Sequence, residues 1–178
     1  MGDAVIQKIR RVVTGHDAQG RSVVLSDGNA RVHPLGRAGM SLGDIWATSD
    51  SPPRVTPDEP DPVGEALDFA IKDRGTRLRI LESTPGDGTV EPWMHRTNTI
   101  DYCYVIEGEM VLLLDDGAEV ILRQGDTAIQ RGTNHAWLNR SGATCRMLFV
   151  MIGAEFSPEL ADMELFSPDA LKATITGG

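Results

Sequence analysis

The stretch Pro92-Trp93-Met94-His95-Arg96-Thr97-Asn98-Thr99-Ile100-Asp101-Tyr102-Cys103-Tyr104-Val105-Ile106-Glu107-Gly108-Glu109 decides the fold, together with Gly125-Asp126-Thr127-Ala128-Ile129-Gln130-Arg131-Gly132-Thr133-Asn134-His135-Ala136-Trp137-Leu138-Asn139. Side chains on a strand alternate between its two faces. If Asp101 points inward, so do Cys103 and Val105, while Tyr102, Tyr104 and Ile106 point the other way. His135, Trp137 and Asn139 share a face by the same rule. Outward from these stretches the pattern stays β. Leu78 and Ile80 alternate with Arg77 and Arg79; the strands near 110–114, 119–122 and 127–130 are separated by Asp115-Asp116-Gly117 and Gln124-Gly125-Asp126. Short strands with turn signals at this spacing predict a sandwich or a barrel, and no helix-length periodic run interrupts them.

The flanks differ from this centre. Residues 4–26 read as a hairpin, with Val12-Val13 and Ser22-Val23-Val24-Leu25 on either side of the turn 15–20. Another short strand is expected around Ile45-Trp46-Ala47-Thr48. Pro52, Pro53, Pro57, Pro60 and Pro62 then make an extended connection, because proline fixes φ and donates no hydrogen bond. The predicted organisation is an N-terminal strand arm with its Pro-rich connection at 1–75, a barrel at 76–152, and a tail at 153–178. In the tail, Ser157-Pro158-Glu159 and Ser167-Pro168-Asp169 each read as a helix start, with Ser as N-cap and Pro at the first position.

Composition narrows the partners. The 178 residues carry 17 Lys and Arg against 26 Asp and Glu, a formal net charge of -9. An acidic chain repels phosphate backbones and anionic membrane surfaces, so neither nucleic acid nor membrane is an expected partner. No apolar run approaches membrane-spanning length, and the first residues lack a signal-peptide pattern. A cytoplasmic protein is the expectation, with Cys103 and Cys145 as thiols.

The two quoted stretches resemble the two motifs of the cupin superfamily, G(X)5HXH(X)3,4E(X)6G and G(X)5PXG(X)2H(X)3N. His95 falls on the first histidine, Thr97 on the second, and Asp101 on the glutamate. Gly108 closes the first motif. In the second motif Gly125, Gly132, His135 and Asn139 match, while Gln130 stands where proline is usual. Gly88 is one residue too far from His95, and the second motif's first spacing is one residue short. The resemblance implies an all-β double-stranded β-helix (jelly-roll) barrel. It also implies a divalent metal ion, Fe, Zn, Mn or Ni, held by His95, Asp101 and His135, with the family's second histidine ligand replaced by Thr97.

The residue types support part of this independently. Two imidazoles and a carboxylate with open positions suit non-haem iron or zinc. A metal-free pocket, where the same three groups bond each other or a ligand, stays open. Thr97, Cys103, Trp137, Arg79 and Trp93 are expected around a substrate. Arg77 and Arg79 share one strand face, which reads more readily as a solvated outer face than as a clamp for a carboxylate or enolate. Cys103 reads more readily as a small core residue than as a reactive thiol. His16 and His33 lie in turn-like segments without ligand spacing. Two functions follow. One is a metal-dependent enzyme on a small organic metabolite, of dioxygenase, decarboxylase, isomerase or lyase type. The other is a non-catalytic small-molecule binding or sensing protein with a degenerate metal site. A homodimer is expected, since open sheets leave edge strands to cover.

Overall fold

The computed structural model describes residues 8–35, 39–64, 66–69, 71, 74–86 and 91–161. Among the described residues eleven strands follow one another: β1 (Arg10–His16), β2 (Ser22–Asn29), β3 (Val32–Pro34), β4 (Met40–Thr48), β5 (Thr76–Ser83), β6 (Thr99–Glu107), β7 (Glu109–Leu113), β8 (Glu119–Arg123), β9 (Thr127–Arg131), β10 (Ala136–Leu138) and β11 (Cys145–Gly153). A short helix, α1 (Pro158–Ala161), comes after them. It begins at the first of the two expected Ser-Pro starts; the second, at Ser167, and Gly88 lie outside the described residues. No helix among the described residues is long and apolar enough to cross a membrane.

Two sheets build the barrel. One has six strands in the order β3-β4-β5-β11-β6-β9, the other three in the order β10-β7-β8. All pairings between them are antiparallel. The six-stranded sheet therefore starts at Val32, upstream of the Pro-rich connection, and β3 places His33 in a strand rather than a turn. Among the described residues β1 and β2 pair with each other alone, as a separate hairpin. The core between the sheets contains Cys103, Val105, Met110, Cys145 and Met147, each fully shielded from solvent. β6 shows how alternation yields this: Thr99, Asp101, Cys103 and Val105 are buried, while Ile100, Tyr102 and Tyr104 are exposed.

The β6–β7 turn needs its glycine. Gly108 has φ +79, and a Cβ there would lie 2.4 Å from the Thr144 carbonyl oxygen and 2.9 Å from Cys145 Cα. Glycine permits both the left-handed backbone and the close approach of the chain leading into β11.

Candidate active site

The barrel holds a cavity of about 260 Å³, open on one side to solvent, whose lining includes Trp93, His95, Asp101, His135, Trp137 and Arg79. His95 enters from the loop before β6, and His135 from the turn before β10. Their backbones form a two-bond antiparallel bridge, His95 N to His135 O and His135 N to His95 O, both 2.9 Å. The bridge sets the two imidazoles side by side, with centroids 4.3 Å apart and planes tilted by 47°. Trp93 stacks on His95 at 4.4 Å, and Trp137 meets the His135 ring edge-on at 5.5 Å. Phe149 of β11 continues the row against Trp137. Aromatic packing thus fixes both histidine rings from both sides.

Each imidazole has a defined tautomer. His95 Nδ1 lies 3.0 Å from the Trp93 carbonyl oxygen, and His135 Nδ1 lies 3.0 Å from that of Thr133. A carbonyl only accepts, so each Nδ1 carries a hydrogen, and in a neutral ring Nε2 then carries the lone pair. Burial, reinforced by the neighbouring His95, lowers the pKa of His135 to about 3, keeping it neutral. Burial has the opposite effect on the acid: the Asp101 carboxyl rises to about 6, against the pull of a Thr99 hydrogen bond and of the Arg79 charge. Asp101 Oδ1 is buried without a hydrogen-bond partner.

Thr97, at the family's second histidine position, lines the cavity, with its hydroxyl 2.7 Å from that of Thr99. It therefore belongs to a hydroxyl chain leading to Asp101. Cys103 does not line the cavity. Its side chain projects from the same face of β6 as Asp101 but lies in the hydrophobic core, and burial pushes its thiol pKa well up.

Arg77 and Arg79 depart most from expectation. The outer-face reading gives way, because both are buried, at 7% and 4% exposure. The reason is Asp44 of β4, in register with Arg79 across the β4–β5 pair and itself only 2% exposed. Arg79 Nε donates to Asp44 Oδ1 at 2.6 Å, and an Arg77 terminal nitrogen donates to Asp44 Oδ2 at 3.1 Å. A second Arg77 nitrogen reaches Asp68 Oδ2 at 2.9 Å. Arg79 also donates to the Asp68 carbonyl, and its guanidinium lies 5.3 Å from the centre of the Phe69 ring. One cationic group is thereby built into the cavity wall. Its sequence signal was a carboxylate two residues after Leu42 on one strand, a position that buries an acid only if a cation faces it.

The donor set fits a divalent ion in part. Two imidazoles whose Nδ1 atoms are each held by a backbone carbonyl, with Nε2 as the possible ligand atom, are the usual preparation of histidine ligands. Asp101 lines the same cavity with an unpaired oxygen. Among the described residues, however, no three His, Cys, Asp or Glu side chains gather around one point that an ion could occupy.

Comparison with known proteins agrees with this architecture. The cupin domain model matches residues 80–151. The cupin-domain-containing oxidoreductase fogC of Aspergillus ruber is 35% identical over 84% of this chain and 74% of its own length. Phomopsin biosynthesis cluster protein C′ of Diaporthe leptostromiformis is 40% identical over 82% of this chain and 78% of its own. Among solved structures, an RmlC-like cupin from Shewanella frigidimarina superimposes with a TM-score of 0.44 and 14% identity, covering 71% of this chain and 86% of that one. With the domain match and the two relatives that are 35% and 40% identical over most of both chains, the chain belongs to the cupin superfamily.

Proposed function

We propose that this protein is a small cupin enzyme that converts one small, largely apolar organic molecule bearing an oxygen function, with a divalent ion held by His95 and His135. The observation that carries the reading is the pair of imidazoles, each with its Nδ1 bonded to a carbonyl, in a largely apolar cavity shared with a buried carboxyl. Titratable groups shifted by burial and gathered in one cavity mark a candidate site of chemistry. Relatives named as oxidoreductases support oxidation as the reaction class.

Each residue has a role in this reading. His135 stays neutral across the ordinary pH range, so its Nε2 remains a donor of electrons rather than of protons. Asp101 holds or releases a proton near neutrality and faces the substrate. Arg79, pinned by Asp44, offers positive charge to an anionic or enolic oxygen. Trp93, Trp137 and Phe149 supply flat walls and exclude water, which strengthens polar interactions inside. A bound ion would supply Lewis acidity or dioxygen activation.

A second reading, a non-catalytic small-molecule binding cupin, is favoured by the commitment of the Thr97 hydroxyl to Thr99 and by the absence of a three-donor cluster among the described residues. Protein purified without chelators separates the two, through metal analysis and a screen of small acids and catechols for dioxygen consumption. The enzyme reading expects near-stoichiometric metal and turnover, both lost in His135→Ala. Metal at background, with ligands that quench Trp93 and Trp137 fluorescence but are not turned over, would replace it with the binding reading.

A further inference from the structure

Gln130 stands where the cupin motif usually has proline, and no role described so far uses it. It lies in β9 directly opposite Asp101 of β6. Directly opposed residues of an antiparallel pair project to the same side, with their Cβ atoms about 5 Å apart. Both are buried, Gln130 at 4% exposure and Asp101 at 3%. The Gln130 amide is oriented by Thr133, whose hydroxyl donates to Gln130 Oε1 at 2.6 Å. Nε2 is therefore the donor end left over. It has no hydrogen-bond partner, and neither has Asp101 Oδ1, although both atoms are shut away from solvent. Buried donors and acceptors are rarely left unmade in folded proteins. Here an unpaired donor and an unpaired acceptor sit on facing residues of one strand pair.

We infer that Gln130 is a positioning residue of this site: its side-chain amide holds the Asp101 carboxyl at Oδ1, directly or through one water, and ties it through Thr133 to His135. The inference rests on reading the cavity as the active site. Thr133 makes the second half of the link, since its carbonyl oxygen accepts from His135 Nδ1 at 3.0 Å. On the other side, Thr99 bonds the Asp101 carboxyl and shares a 2.7 Å hydroxyl contact with Thr97. The acid and one imidazole are then held by one continuous polar chain running through the second motif. Two departures from the motif belong together in this account. Aspartate is one methylene shorter than glutamate, so its carboxyl stays near the strand, within reach of the side chain opposite. Proline at position 130 would offer no donor there.

The test is NMR of the intact chain, labelled in Gln side-chain amides and Asp carboxyl carbons. Asp101→Asn keeps the shape of the acid and is expected to shift the Gln130 NH2 resonances. Gln130→Leu keeps approximate volume and is expected to shift the Asp101 carboxyl carbon, with the backbone spectrum otherwise retained. If Gln130→Leu does not fold, the Asp101→Asn arm decides alone. Gln130 resonances indifferent to Asp101→Asn would overturn the inference and leave the proposed function standing. Coupled resonances in a protein without metal or turnover would do the reverse: the polar link would hold and the enzyme reading would fall.

Discussion

Asp101 and His135 share one cavity, and the same burial moves their proton affinities in opposite senses with opposite consequences for stability. Asp101 is raised to about 6 in the folded chain from an ordinary 3.8. Between those values the folded state keeps a proton that the unfolded state has released. Stability is therefore undiminished by this group below about pH 4, falls as pH rises to about 6, and stays lowered above it. Asp101→Asn removes the charge and the penalty. In chelator-treated protein it should raise stability by about 1–3 kcal/mol near pH 7.5 and give no gain near pH 4, as read by denaturant unfolding at each pH. A gain independent of pH would refute this account of the carboxyl. His135, lowered from 6.5 to about 3, works the other way, and its contribution is lost as pH falls through that interval. Asp44 supplies a second test at this scale. It balances two buried guanidinium groups. Asp44→Ala takes the carboxylate from Arg79 and leaves Arg77 to Asp68, and should cost about 3–5 kcal/mol, seen as a lower denaturation midpoint.

At the scale of elements, alternation and turns can be read locally, while pairing partners cannot. The period-two burial of β6 follows directly from its residues. The same rule put Arg77 and Arg79 on one face of β5 but could not say which face was buried, because the acid that decides it lies in β4, 33 and 35 residues away. Leu78 and Ile80, which alternate with the two arginines, are only partly buried. Turn glycines give a graded prediction. Gly125 has φ +93 but nothing within 4 Å of an added Cβ, whereas Gly108 combines φ +79 with backbone atoms at 2.4 and 2.9 Å. Gly125→Ala should cost about 1–2 kcal/mol from backbone strain alone. Gly108→Ala adds a clash that only movement of β11 or the turn relieves, and should cost at least about 3 kcal/mol. Equal thermal shifts for the two variants would contradict this ordering.

The whole molecule leaves apolar surface outside the barrel. Tyr102, Tyr104 and Ile129 are exposed on β6 and β9, at one edge of the six-stranded sheet, and Val24 and Leu25 are exposed on the separate hairpin. A lone two-stranded hairpin is marginal in water, and edge strands invite pairing. A homodimer is the assembly we expect, and light scattering at tens of micromolar should find twice the chain mass; a monomer at that concentration, high on the usual scale of oligomer affinities, would reject it. By itself the sequence determined the all-β class, the placement of most strands and turns, the cupin resemblance, and the segments that carry His95, Asp101 and His135. Those properties are local, written in alternation, glycine positions and motif spacing. Only the tertiary structure decided that the two histidines pair through their backbones, that Thr97 joins Thr99 rather than the imidazoles, that Cys103 belongs to the core, and that Asp44 draws two arginines inward. Each of these depends on which residues of distant strands come to face one another, and that is set by sheet order and register when the barrel closes.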